Sequence, residues 1–180
     1  GTHPIHVSYN GSVVISSVTV LSTIDVPDEI TVAHDGNNNI TVTFYDTEGN
    51  KLNSMTLPLP TKMGTYTLSF TNYKTGEVRN STIKVISRFL SHKDVTTCYG
   101  AVYTVMVAGD DGKRAGAGEN VTFEIMGKKA IAETSELGVA AVYLPLEAVP
   151  GTYVITMTYK GESVNNTITV EHVINSTKTV

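Results

Sequence analysis

The residues with the widest chemical reach in this 180-residue chain are five histidines and one cysteine. A serine or cysteine nucleophile needs a histidine base and a third group to orient it. His3, His6, His34, His92 and His172 fall at termini, turns and connecting stretches, and Cys98 has only His92 near it, six residues upstream across a strand start. No nucleophilic pattern emerges, so the sequence predicts neither an enzyme nor a cofactor. Oxygen ligands of the kind that hold calcium occur in Asp35-Gly36-Asn37-Asn38-Asn39 and Asp110-Asp111-Gly112. Tight turns need the same residues for backbone reasons, and the turn reading outweighs the metal one. His3 and His6, three apart in a strand, point to opposite faces and cannot share a metal.

Covalent chemistry offers two further candidates. Lys93, Glu124 and Asn166 have the types and order for an intramolecular isopeptide bond between a first-strand lysine and a last-strand asparagine, with an acid in mid-module. Such a bond needs burial deep enough to keep the lysine neutral and the acid protonated. Lys93 sits beside Asp94 at a linker edge, and lysines are mostly exposed, so solvent is its expected environment. Six Asn-x-Ser/Thr triplets, at Asn10, Asn39, Asn80, Asn120, Asn165 and Asn175, are acceptors for N-glycosylation. A threonine-rich chain contains such triplets by chance, but six of them, most close to expected turns or strand ends, point to a secreted surface protein.

The elements that carry these residues repeat. Residues 1–20, GTHPIHVSYNGSVVISSVTV, align without gaps on residues 151–170, GTYVITMTYKGESVNNTITV. Residues 64–85, GTYTLSFTNYKTGEVRNSTIKV, are the same hairpin with two extra residues at its turn. A supersecondary unit recurring in this way marks a tandem array of small β modules. In residues 95–170, short alternating segments at 94–98, 101–108, 120–126, 128–134, 139–144, 151–159 and 163–170 are separated by glycine-rich turns. Seven such strands predict an immunoglobulin-like sandwich, with Tyr153, Ile155, Met157, Ile168 and Val170 in its core. Residues 21–86 read as a shorter module in which Ile24 to Val32 is one segment, 39–46 another, and the 120–134 hairpin has no counterpart. The expected organisation is a terminal hairpin over 1–20, a shortened module over 21–86, a complete module over 87–172 and a linker over 173–180. Residues 86–94, without Gly or Pro, read as the connection between modules.

Composition agrees with an all-β chain of tandem immunoglobulin-like sandwiches. There are 26 threonines and 23 valines, which suit a half-buried pleated surface, and no tryptophan or glutamine. The net charge of −4 is mild and contains no run of like charge, which argues against nucleic acid as a partner. No apolar run approaches the roughly 18 residues of a membrane-spanning helix, so membrane insertion is not expected here. One cysteine cannot make an internal disulfide, so the modules must fold without staples.

Residues 91–170 resemble the immunoglobulin-like repeats of adhesin-like surface proteins of methanogenic archaea. The matching motifs are Lys93-Asp94-Val95, Tyr103-Thr104-Val105, Asp111-Gly112-Lys113, Asn120-Val121-Thr122-Phe123, Gly138-Val139-Ala140, Pro150-Gly151-Thr152-Tyr153, Tyr159-Lys160-Gly161 and Asn166-Thr167-Ile168-Thr169-Val170. The resemblance implies an exported, many-repeat protein at the cell surface, acting as a stalk or filament. Its expected partners are neighbouring repeats or identical subunits, and surface glycans or proteins of other cells. The competing reading is a recognition module that binds a glycan or protein through its loop tips. Residues 1–20 carry the final two strands of a sandwich without the rest of it. Val7, Tyr9, Val14, Val18 and Val20 are therefore expected to pack on another module, in the same chain or by strand addition to a neighbouring chain.

Overall fold

The computed structural model describes residues 1–98, 100–144 and 149–172. It is all-β, with no helix among the described residues. By its contacts the chain forms two compact units. One is Gly1–Ile30, Asn39–Leu59 and Thr67–Thr82, and the other is Thr31–Asn38, Pro60–Tyr66 and the chain from Ile83 onward. The division passes through three strands.

The first two strands, β1 (Thr2–Tyr9) and β2 (Ser12–Thr19), form a sheet of their own. Their connection is a two-residue turn with Asn10 at φ 50° and Gly11 at φ 80°. Two consecutive left-handed residues make the turn whose twist matches the flanking strands, and Asn-Gly is the pair that adopts it most readily. Next come β3 (Ile24–Asp25) and β4 (Glu29–Ala33). They are followed by β5 (Asn39–Tyr45), β6 (Lys51–Pro58), β7 (Gly64–Thr71) and β8 (Val78–Ile86). These six form two sheets, in the orders β3-β5-β6 and β4-β8-β7.

The single segment expected over Ile24 to Val32 is thus two strands in two sheets. Pro27 lies at the break, where its missing N–H and fixed φ end the ladder of β3. The strand β6 has no sequence forewarning, because KLNSMTLP does not alternate and most of it is exposed.

The remaining strands are β9 (Phe89–Ser91), β10 (Val95–Thr97), β11 (Ala101–Val107), β12 (Asn120–Ile125), β13 (Lys128–Glu133), β14 (Val139–Leu144), β15 (Gly151–Tyr159) and β16 (Glu162–Val170). The seven expected strands are present, and β9 is an eighth, inside the stretch read as a connection. It pairs with β11, and Phe89 enters the core. The sheets are β10-β16-β15-β12-β13 and β14-β11-β9, so here too the opening strand is split between two sheets. This is an immunoglobulin-like sandwich. Its core brings together Tyr103, Val105 and Val107 of β11, Val121, Phe123 and Ile125 of β12, and Ile155, Met157 and Tyr159 of β15 with Ile168 and Val170 of β16. Tyr153, expected inside, is only half-buried, because its hydroxyl reaches out to donate to the Val149 carbonyl at 2.5 Å.

Threonine has a second use on the outer faces. Cross-strand hydroxyl pairs join Thr2 to Thr19, Thr41 to Thr56, Thr43 to Ser54 and Thr158 to Ser163, at 2.8–3.0 Å. Such pairs fix register on a face that water reaches.

Candidate functional site: an uncovered hairpin and an open strand edge

The β1–β2 hairpin is a structural copy of β15–β16 as well as a sequence copy. Its register pairs Val7 with Val14 and Tyr9 with Ser12, while the later hairpin pairs Met157 with Val164 and Tyr159 with Glu162. Both turns carry two left-handed residues, with Lys160 at φ 45° and Gly161 at φ 86° in the second. Ile5, Val7, Tyr9, Val14, Val18 and Val20 therefore occupy the positions of Ile155, Met157, Tyr159, Val164, Ile168 and Val170. Their surroundings differ completely. In β15–β16, Ile155, Met157 and Ile168 are at 0% exposure, whereas Val7, Tyr9 and Val14 are exposed at 56%, 82% and 64%. Every residue of β1 and β2 is exposed, and no third strand among the described residues pairs with either.

Little in the hairpin guards its edges. Residues 1–20 contain no Asp, Glu, Lys or Arg. Exposed edges are ordinarily blunted by charge, by bulges or by brevity. The one such device here is Pro4, which removes a single N–H.

The same unit holds an open place of matching kind. In the sheet β4-β8-β7, β7 is the terminal strand among the described residues. Its sequence GTYTLSFT copies the GTYVITMT of β15, whose corresponding edge is taken by β12 in antiparallel register, Ile125 opposite Ile155 and Phe123 opposite Met157. The reason is chain length. Between β11 and β14 run residues 108–138, which include the β12–β13 hairpin, while β5 joins β6 through residues 46–50 alone. That short turn is closed by Asp46, whose carboxylate accepts from the Glu48 and Asn50 amides at 2.9 and 2.8 Å. Hydrogen bonds from Asn50 favour its charged form and hold its pKa below the usual aspartate range.

Without a counterpart of β12–β13, apolar side chains are left showing. A groove of about 530 Å³ runs between β6 and β7, and its lining includes Phe44, Leu52, Met55, Leu57 and Phe70. Leu52 and Met55 are exposed at 44% and 41%. Leu68 is half-buried where its equivalent Ile155 is sealed. Tyr73, at the β7–β8 turn that closes one end of the groove, is 95% exposed.

The root of the hairpin is firmly held. Glu77 accepts from the Ser22 hydroxyl at 2.6 Å, the Thr23 amide at 2.6 Å and the Thr23 hydroxyl at 2.7 Å. These bonds, that from Ser22 first, favour the charged carboxylate and lower its pKa. Asn72, buried nearby, donates to the carbonyls of Thr23 and Tyr45 at 3.2 and 2.8 Å. Neither residue stands out in the sequence, because their partners lie 27 to 55 positions away.

The structure separates the isopeptide candidates. Asn166 donates to Asp94 at 2.9 Å and lies 2.5 Å from His92 Nδ1, while Glu124 pairs with Lys129 at 3.3 Å and Lys93 is exposed. Asn10, Asn39, Asn80, Asn120 and Asn165 are all exposed; Asn175 lies outside the described residues, as does the rest of the stretch over 173–180. No group of three metal-binding side chains comes together among the described residues. The second unit contains a polar knot with no sequence signal. Arg88, 3% exposed, pairs with Asp110 at 2.8 Å, and Glu162 accepts from the Arg88 amide at 2.8 Å and the Ser87 hydroxyl at 2.6 Å.

No protein family matches the chain, and no curated protein does. Several solved structures are similar at low identity. SGBP-B of the Bacteroides ovatus mixed-linkage glucan utilization locus, solved in complex with a mixed-linkage heptasaccharide, matches 96% of this chain at 14% identity and a TM-score of 0.39; the match spans 53% of that protein's chain. The fibronectin(III)-like modules of CbhA from Clostridium thermocellum match 87% of this chain over 100% of theirs, at 12% identity and 0.32. The Yersinia pseudotuberculosis adhesin InvE matches 82% over 58% of its own length, at 13% and 0.36. Likeness this distant carries no argument about ligand or activity, and the fold assignment rests on the sheets themselves.

Proposed function

We propose that this chain is a structural and adhesive repeat segment of an exported surface protein, of the adhesin-like kind its sequence resembles in methanogenic archaea. It acts as a stalk or filament subunit whose modules join by strand pairing. The observation that carries the reading is the β1–β2 hairpin, which presents the apolar face of a sandwich's last two strands with none of the described residues packed on it. A lone hairpin is marginally stable in water, and its apolar face and open backbone edges are satisfied together only by a further sheet. Sedimentation of the chain with and without residues 1–20 tests this. The intact chain self-associates and the truncated one does not; equal behaviour of the two overturns the reading.

A second reading rests on Tyr73. A fully exposed ring at a turn tip, beside a groove, is a surface on which a sugar could stack. A glycan panel probed with the chain and with Tyr73→Ala checks it. Binding lost in the variant supports recognition, and no binding by the intact chain removes it.

A further inference from the structure

The geometry points to a specific acceptor for the hairpin: the groove between β6 and β7, filled by the β1–β2 hairpin of a second copy, with the donor's β1 antiparallel to the acceptor's β7. This deepens the strand-pairing reading above and rests on it.

Four observations converge. What the acceptor lacks is one two-stranded hairpin, the counterpart of β12–β13, and what the donor offers is one two-stranded hairpin. The edge left open on β7 corresponds to the edge of β15 that takes an antiparallel strand, so its N–H and C=O groups face a vacant partner position of known polarity. Antiparallel pairing through a two-fold axis perpendicular to the sheet keeps each strand's faces on the same side. The donor's Ile5, Val7, Tyr9, Val14 and Val18 would then face inwards with Phe70, over Leu52 and Met55 of β6. This is where β13 lies against β14 in the second unit. Lastly, neither edge carries Asp, Glu, Lys or Arg: His3 and His6 are the only basic side chains of β1 and β2, and GTYTLSFT has no acidic or basic side chain besides the Tyr66 phenol. No like-charge repulsion or buried unpaired ion opposes the contact, and neither edge carries the charged side chains that normally prevent it.

A second copy, rather than the hairpin's own chain, is the occupant because of the anchoring of its root. Ser22 and Thr23 are bound to Glu77 by three hydrogen bonds, and Asn72 adds two more to Thr23, while every residue of the hairpin strands is exposed. Folding back onto the groove would have to turn the chain sharply within Val20 and Leu21, between the end of β2 and that fixed root.

The test uses the full 180-residue chain and two double variants at exposed positions, Val7→Asp with Val14→Asp in the hairpin and Leu52→Asp with Met55→Asp in the groove. Sedimentation velocity shows self-association of the wild type, and each variant weakens it at least tenfold while its circular dichroism stays that of a β protein. Mixed in equal amounts, the two variants form one-to-one dimers, because one supplies an intact groove and the other an intact hairpin. Amides of β7 become protected from hydrogen exchange in the mixture and not in either variant alone. A groove variant that assembles like wild type, beside a hairpin variant that does not, overturns the acceptor site and leaves strand pairing standing. A groove variant that assembles normally but melts lower places the hairpin in its own chain, which overturns the second-copy occupant. A monomeric wild type overturns both this inference and the reading beneath it.

Discussion

Alanine at Ile155 and alanine at Leu68 are the same perturbation applied to equivalent strands, and they should differ several-fold in cost. Ile155 has no exposure and lies opposite Ile125 of β12 and Asn166 of β16. Removing its side chain beyond Cβ forfeits the transfer free energy of the lost groups and leaves a cavity that the sheets cannot close, about 3.5 kcal/mol for a fully buried Ile→Ala change. Leu68 sits on the strand that has no neighbour equivalent to β12 among the described residues and is only half-buried. It loses about half the transfer term, and water reaches the gap, so the cost falls to about 1 kcal/mol. With a urea dependence of about 1.5 kcal/mol/M for a unit of this size, the midpoints shift by about 2.3 M and about 0.7 M. Urea unfolding followed by tyrosine circular dichroism, at concentrations where the chain is monomeric, reads both. Shifts equal to within about 0.5 M would mean that the edge of β7 is already covered, and the argument for an open groove would fail. At concentrations where the chain self-associates, the Leu68→Ala shift should grow while that of Ile155→Ala stays put.

Asp110→Ala strands the buried guanidinium of Arg88 without its carboxylate. Because Asp110 is half-exposed the loss should be about 2 kcal/mol, below the 3–5 of a fully buried pair, and Arg88→Met should recover part of it in the same melts. Asp94 accepts from the Thr167 backbone amide at 2.8 Å and the Asn166 side-chain Nδ2 at 2.9 Å, and these bonds lower its pKa. A carboxylate with a depressed folded pKa stabilises above its unfolded value, near about 4, and loses that contribution as pH falls through the folded one. Asp94→Asn should therefore melt below wild type at pH 7 and converge with it in acid. Gly161→Ala meets no atom with its new Cβ but must hold φ 86°. Backbone strain alone should cost about 1 kcal/mol, visible as a lower melting temperature.

The later strands were legible because their pattern repeats with period two and glycines mark their ends. Residues 101–107 and 151–170 are examples. The missing hairpin was legible from length, since the stretch between the 39–46 segment and the repeated hairpin at 64–85 is too short to hold counterparts of both 120–134 and 139–144. The strands β6 and β9 were not legible. Asn53, Ser54 and Lys51 face solvent on a strand held by backbone pairing to β5, and Phe89-Leu90-Ser91 is too short to show a period. The candidate site divides along the same line. Val7, Tyr9, Val14, Val18 and Val20 follow from a local repeat, whereas Leu52 and Met55 become a groove only through what fails to cover them. Glu77, Asn72 and Arg88 act on residues distant in sequence, and no local pattern announces such contacts.

The pairing of β10 with β16 has a mechanical consequence. It is parallel, with Val95, Thr96 and Thr97 beside Ile168, Thr169 and Val170. Tension entering from the chain before β10 and leaving through the chain after β16 pulls these two strands past each other along their lengths. Their hydrogen bonds are then loaded together, in shear, instead of opening one at a time from an end. The short strand β9, antiparallel to β11 just upstream, lies earlier on the same line of force and would yield first. A stretched module would thus give up a little length early and then resist as a block.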